Sequence, residues 1–361
     1  MKDVKVAIVG SGGIANIYAI ALKTISAVDI VACASPTEEH IASFASRFDI
    51  PRRFTEYRKM LEMDAIDLVV IGTPNHLHAQ ITVEAASAGK HVVCVKPLCM
   101  NLFEADEMIE ACRRANVRLM YGENICFEPK YVKLKEICDS GALGDVFLLK
   151  QSSKHGGPPT EWFWDLSKSG GWATMDLGCH ALQFFRWICK NEEPESIFAE
   201  MANCVHAREQ RGDDESIIIV NFRNGLRAIT ETSWAKKGGF EDKAEAYGTK
   251  GVSYAYMPMG MTLDTYSEIG YQKKHYVSEN VPPGWTYATY EEEWHYGFPQ
   301  MFRHFTDCIL NDTDPVVTGE DGRKVMEMML AAYESANKGC KVYFPFEKEV
   351  EKPIDLWLHN K

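Results

Sequence analysis

Val4-Lys5-Val6-Ala7-Ile8-Val9 runs directly into Gly10-Ser11-Gly12-Gly13-Ile14-Ala15, and this stretch decides the fold. The near-continuous apolar run is the pattern of a strand buried on both faces of a parallel sheet. The following residues have the spacing G-x-G-x-x-A. The first glycine permits a tight turn, and the second lets backbone approach a pyrophosphate. The small Ala15 lets a helix pack close, and that helix presents its free N–H groups to the phosphates. Placed between a strand and a helix, Gly10, Gly12, Gly13 and Ile14 are expected to hold a dinucleotide.

Outward from this stretch, strand and helix alternate. A helix is expected over Ala15–Thr24, strands over Ile30–Ala34, Leu68–Ile71, His91–Val95 and Val117–Tyr121, and helices from Thr37 or Glu38, over His76–Ala88 and over Glu104–Ala115. Repeated units with short links predict an α/β domain with a doubly wound parallel sheet, residues 1–125. Beyond it the rhythm changes. A helix over Pro129–Asp139 is followed by consecutive strand-like runs, Val146–Ser152, Ile197–Val205, Ser216–Phe222, Leu226–Ser233, Lys243–Tyr247 and Val252–Tyr256. Asn224-Gly225 is a hairpin signal, and Pro282-Pro283-Gly284 marks a loop. Helices are expected over Thr174–Ile188, Gln300–Leu310 and Glu320–Asn337. Residues 126–361 thus read as an α+β domain with a large, mostly antiparallel open sheet covered on one face. The uncovered face suits pairing with another copy, a dimer or larger homo-oligomer.

Composition narrows the partners. The chain has 361 residues, 46% hydrophobic and 25% charged, with a net charge of −12 and no basic stripe. That is a soluble globular balance and a poor match for nucleic acid or an anionic membrane. No apolar run approaches the roughly 18–20 residues of a membrane span, and the start lacks the signature of a secretory leader. Eleven cysteines, an odd number without CxxC, sit mostly in apolar runs. They read as reduced thiols of a cytoplasmic protein.

Several residues carry chemistry. The acid that the dinucleotide fingerprint expects at the end of the second strand is replaced by Ser35. With Glu38 and Glu39 close behind and no cation in the local sequence, NAD is favoured over NADP. Thr73, Asn75, His78 and Lys96 lie at carboxyl ends of strands, where such sheets bind ligands, and are assigned to the cofactor cleft; His76 and His78, opening a helix, also read as structural. Lys96, fixed by Pro97, is placed to touch a reacting oxygen. Asp176 and His180, four apart on one helix face, form a carboxylate–imidazole pair suited to a general base. Lys154 and His155 end a strand that points into the cleft. With Trp162, Trp172 and His295, in a tryptophan-rich second half that also holds Trp164, Trp234, Trp285 and Trp294, they are candidate substrate contacts. No ligand spacing supports a metal.

Taken together, the Gly10–Ala15 turn, Thr73-Pro74-Asn75-His76-Leu77-His78, Lys96-Pro97, Phe127-Glu128-Pro129, Gly170-Gly171, Asp176-Leu177-Gly178-Cys179-His180 and Thr318-Gly319-Glu320-Asp321-Gly322 resemble the Gfo/Idh/MocA oxidoreductases over nearly the whole chain. The resemblance implies a Rossmann domain followed by an open sheet that covers the active site and often mediates oligomers. It carries the family's catalytic lysine onto Lys96 and its aspartate and histidine onto Asp176 and His180. Val95 departs from the family's usual Glu-Lys-Pro. The activity implied is NAD(P)-dependent oxidation of a secondary hydroxyl of a sugar, cyclitol or glycoside, most specifically C3 of a glycoside, with a cofactor that stays bound and is recycled in some members. Two rivals are an NAD-dependent glycosidase acting by transient oxidation and elimination, and a non-catalytic dinucleotide or sugar sensor.

Overall fold

The computed structural model describes residues 3–206, 211–258, 263–267, 271–274, 278–281, 284–288 and 292–358. Pro282, Pro283 and the side chain of Trp285 lie outside what is described. The first six strands are β1 (Val4–Val9), β2 (Val28–Ala34), β3 (Arg52–Phe54), β4 (Leu68–Ile71), β5 (His91–Val95) and β6 (Leu119–Gly122). They form one parallel sheet in the order β3-β2-β1-β4-β5-β6. Helices α1 (Gly13–Lys23), α2 (Glu38–Arg47), α3 (Tyr57–Leu61), α4 (His78–Ser87) and α5 (Leu102–Arg114) connect them. Leu68, Val69, Val70 and Ile71 are fully buried, as a strand sandwiched between helices requires. Helix α1 buries Ala15, Tyr18, Ala19 and Leu22, one face at helical spacing. The sequence reading lacks β3 and α3: Arg-Arg-Phe is a short, largely exposed edge strand with no apolar alternation to betray it.

Strand order reverses between β1 and β4, and there two strand ends pack closely. Gly10 has φ +113, and a Cβ on it would lie 2.4 Å from the Gly72 carbonyl oxygen. Only glycine fits that conformation and that gap. A similar approach fixes the far end of the sheet: a Cβ on Gly122 would lie 2.8 Å from the Cys94 oxygen. The residue after β6 is therefore held against the end of β5.

After α6 (Pro129–Asp139) comes the second sheet, with strands β7 (Val146–Lys154), β8 (Pro194–Ala202), β9 (Glu215–Phe222), β10 (Arg227–Ser233), β11 (Glu241–Gly248) and β12 (Gly251–Pro258). Its order is β12-β11-β7-β10-β9-β8, with Val342–Tyr343 on the outer edge. The Asn224-Gly225 turn joins β9 and β10 as an antiparallel hairpin, with Gly225 at φ +87. The sheet is mixed, because β7 and β10 are parallel neighbours. One face packs on helices: Ser216, Ile218, Val220 and Phe222 of β9 are buried while Ile217 between them is exposed. On the sheet's outer strand, Tyr254 and Tyr256 are also exposed.

The remaining α-helices among the described residues are α7 (Leu166–Ser169), α8 (Cys179–Ile188), α9 (Glu292–His295), α10 (Phe298–Asn311), α11 (Gly319–Lys338) and α12 (Asp355–Leu358). Helix α11 joins the two halves. It packs on α5 and on β8, and Thr318 and Asp321 close its first turn as a capping box. Its Gly322 lies against Leu98, just beyond Lys96-Pro97. Among the described residues no helix is long and apolar enough to cross a membrane. All eleven cysteines are free thiols.

Candidate active site

A cavity of about 360 Å³ opens where the carboxyl end of the first sheet faces the second. Ile14 and Tyr18 of α1, Val95 and Lys96 after β5, and Asp176 and His180 line it together with Gln151, Ser153 and His155 of the β7 end. Beside it, the turn after β1 is built for a bulky anion. A Cβ on Gly12 or Gly13 would meet nothing within 4 Å, so both glycines border open space at the start of α1. Asn16 donates to the Gly12 carbonyl at 2.8 Å and braces the turn. Ser11 Oγ donates to Ser35 Oγ at 2.9 Å, which brings Ser35 to the rim of the same cleft.

The second-strand end is less anionic than its local sequence suggests. Pairing of β2 with β3 sets Arg53 opposite Cys33, and the Ser35 N–H donates to the Phe54 carbonyl. Arg53 thus starts from the strand beside the β2 end, and Glu38 holds its guanidinium at 3.2 Å.

Asn75 and His78 have mainly structural attachments. Asn75 Nδ2 donates to the Ser169 carbonyl at 2.8 Å and ties the two halves together. His78 is fully buried, with Nδ1 2.9 Å from the Pro97 oxygen and Nε2 2.9 Å from the Thr73 oxygen. Its ring is used up clamping two strand-end loops, which corrects the expectation that it touches cofactor.

Lys96 and Asp176 form the first polar pair of the cavity. Lys96 Nζ donates to Asp176 Oδ1 at 2.6 Å and to the Asp176 carbonyl at 2.8 Å. Trp234 Nε1 donates to Oδ2 at 3.1 Å, and His155 Nε2 lies 3.5 Å from the same oxygen. Burial opposes ionisation of Asp176, but the Lys96 ammonium, backed by His155, holds its carboxyl far below the usual range. Burial likewise opposes the Lys96 charge, and Asp176 outweighs it, raising Lys96 above an ordinary lysine. Both are therefore charged at neutral pH.

Asp176 does not pair with His180. Residues Thr174–Gly178 form a π-turn before α8, a form that recurs at functional sites. Asp213 anchors it, accepting from the N–H groups of Trp172 and Thr174 at 3.1 and 2.7 Å and from the Tyr333 hydroxyl at 2.7 Å. Asp176 turns to Lys96, while His180 Nδ1 reaches Glu123 Oε1 at 2.5 Å. Glu123 is fully buried at the end of β6, and its Oε1 also accepts the Ile125 N–H at 3.0 Å. The sequence reading misses Glu123. Its one signal is a carboxylate two residues after a predicted strand end, 57 residues from its imidazole partner.

The far end of the cavity is also polar. Glu128 and Asp242 share the Lys130 ammonium, and Asp242 Oδ1 accepts from Tyr131 and Gln151 at 2.7 and 3.1 Å. Asn124 donates to Glu128 and to the Tyr296 carbonyl. Burial pushes the Glu128 carboxyl above its usual range even beside Lys130.

The substrate-contact expectations divide. His155 lines the cavity. Lys154 does not: strand alternation turns it to the opposite face, where it pairs with Glu231. Trp172 is fully buried under the floor, edge-on to Trp164 at 5.0 Å and stacked on Trp234 at 6.0 Å. Trp162 stacks on Phe163 and His295 sits in α9; neither forms the cavity wall, where Tyr296 stands instead. Glu123, Cys179 and His180 each bring a possible ligand atom within 4.8 Å of the others. The Cys179 thiol points at the Asp176 carbonyl, and burial pushes it well above its ordinary pKa.

A glycine-bordered helix start at the switch point of a parallel sheet, opening beside a lysine, an imidazole and two carboxylates, defines a dinucleotide-dependent oxidoreductase. Residues 4–123 match the oxidoreductase family described as having an NAD-binding Rossmann fold, GFO_IDH_MocA, and residues 131–253 match the C-terminal domain of the same family. The chain belongs to this family and is an NAD-binding oxidoreductase. It is 25% identical to a myo-inositol 2-dehydrogenase of Thermotoga maritima, over 92% of this chain and 96% of that one. It is 28% identical to a trans-1,2-dihydrobenzene-1,2-diol dehydrogenase of Xenopus laevis, over 91% and 96%. The crystal structure of GenD2 from gentamicin A biosynthesis, in complex with NAD, superposes with a TM-score of 0.89 at 28% identity, covering 95% of this chain and 97% of that one.

Proposed function

We propose that the protein oxidises a secondary hydroxyl of a sugar, cyclitol or glycoside, most specifically C3 of a glycoside. The observation that carries this reading is the meeting of Lys96 and His180 on one small cavity beside the dinucleotide turn. Polyol and diol dehydrogenases among the relatives support the substrate class. Bound NAD would supply the acceptor for two electrons and the hydrogen on carbon. Gly10, Gly12, Gly13 and Ile14 hold its phosphates, and Ser35, Thr73 and Asn75 border it. His180 takes the hydroxyl proton, and Lys96, kept cationic by Asp176, hydrogen-bonds the same oxygen as negative charge develops. His155 and the Gln151–Asp242 end contact the remaining hydroxyls. Residues 1–125 carry the dinucleotide and 126–361 the substrate, in a cytoplasmic protein whose exposed sheet face, with Ile217, pairs with another copy.

Methyl β-D-glucoside and myo-inositol, each incubated with the protein and NAD, test the reading by NADH absorbance and by carbon NMR of the product. A 3-oxo-glycoside is expected. NADH formation from neither compound, nor from other methyl glycosides and cyclitols, would overturn it.

A further inference from the structure

Two imidazoles, His155 and His180, line the cavity, and their hydrogen bonds set them in opposite tautomers. The Gly157 N–H donates to His155 Nδ1 at 3.0 Å, so that nitrogen is an acceptor. The ring proton of neutral His155 then sits on Nε2, which faces Asp176 Oδ2. His155 has no lone pair left for a substrate proton. His180 is the reverse. Its Nδ1 faces a carboxylate oxygen at 2.5 Å, so the proton sits on Nδ1 and Nε2 keeps its lone pair.

We propose that Glu123 is the positioning residue that makes His180, and not His155, the proton acceptor of the cavity. This rests on the reading that the cavity oxidises a hydroxyl. Three observations on Glu123 support it. Its side chain is fully excluded from water, so it does not swing away. The Ile125 N–H fixes the same oxygen that meets His180. Its other oxygen, Oε2, is buried without a hydrogen-bond partner, so the imidazole is the main polar contact of a carboxylate in a dry site. The close packing of Gly122 on Cys94 sets Glu123 beside the Lys96 segment and behind the ring. Asp176 is committed elsewhere, to Lys96 and Trp234. In the reaction the substrate O–H bond breaks and its proton goes to His180 Nε2. The hydrogen on carbon leaves with its electron pair to NAD, and the carbonyl forms. Glu123 takes no part in the bonds that break and form; it holds the ring.

The tautomers are read directly, with no substrate present. Protein labelled with 15N-histidine and saturated with NAD is examined by long-range 1H–15N correlation at a pH where histidines are neutral, with signals assigned through His155→Asn. His180 is expected as the Nδ1–H form and His155 as the Nε2–H form. Glu123→Leu removes the acceptor at Nδ1, and His180 should lose its preference for the Nδ1–H form while NAD affinity stays unchanged; in Glu123→Gln the Ile125 N–H keeps the amide oxygen toward Nδ1, and the Nδ1–H form should persist. With an oxidised substrate in hand, kcat of Glu123→Leu should fall about a hundredfold with little change in KM, and Glu123→Gln should recover part of it. An Nε2–H His180 in the parent overturns the proposal, as does a Glu123→Leu variant that keeps the parent tautomer or the parent kcat. A correct tautomer pattern in a protein that oxidises no polyol or glycoside would instead overturn the proposed function and leave the Glu123–His180 arrangement standing.

Discussion

The two walls of the cavity are made of different material. On the dinucleotide side the working surface is backbone: the Gly10–Gly13 turn, the start of α1 and the contact of Gly10 with Gly72. On the reacting side it is side chains: Lys96 with Asp176, Glu123 with His180, and Lys130 between Glu128 and Asp242. A phosphate-binding turn needs only a conformation, and conformation is set by a few consecutive residues. A proton-transfer site needs opposite charges brought together out of water, and these come from distant parts of the chain.

The difference between the walls can be broken from either side. The largest effect is expected on the side-chain wall. Lys96→Ala and His180→Ala should each lower turnover about a hundredfold or more, with NAD affinity nearly unchanged in a fluorescence titration. Because both act on one hydroxyl, the double variant should fall well short of the product of the two losses. Multiplying losses would mean that the residues serve different steps.

On the backbone wall, Gly10→Ala should act through the fold. It forces a Cβ at φ +113 against a carbonyl oxygen. Strain of this kind costs on the order of 1–3 kcal/mol, visible as a lower urea midpoint and weaker NAD binding. A variant with parent stability would show that the turn can relax away from Gly72.

The smallest effect sharpens the side-chain wall. Asp176 is depressed below the ordinary aspartate range and Lys96 is raised above the ordinary lysine range. The Asp176 contribution to stability is therefore present above about pH 4 and is lost as pH falls through its lower folded value. The Lys96 contribution is present below about pH 10 and is lost as pH rises through its higher folded value. The gap in urea midpoint between parent and Asp176→Asn should stay flat from about pH 5 to pH 9 and shrink only below about pH 4. A gap that varied across the neutral range would mean that Asp176 answers to a histidine instead of Lys96.

How far the site could be read in advance follows the same division. Leu68–Ile71 and His91–Val95 fall where their apolar runs end, and Lys96 follows at the strand terminus because a parallel strand is legible from its own residues. Four-residue spacing predicts a pairing of Asp176 with His180. Spacing says which residues share a helix face, but not which partner from another element outcompetes the neighbour. Lys96 reaches Asp176 across 80 residues, and a π-turn held by Asp213 presents the aspartate to it. Its position at a strand end predicts Lys154 in the cavity, but the register of β7 gives the cavity to Gln151, Ser153 and His155.

By itself, the sequence determined the doubly wound sheet, the glycine turn for NAD, the strand-end location of Lys96 and the oxidoreductase family. Each follows from contiguous residues whose backbone choices are local. Only the tertiary structure decided that Glu123 faces His180, that Asp176 belongs to Lys96 and that Trp172 and His78 are internal supports. Those outcomes depend on which buried polar groups find one another when the two sheets close, and desolvation makes each such group take the nearest partner of opposite charge or complementary hydrogen bond, wherever it lies in the chain.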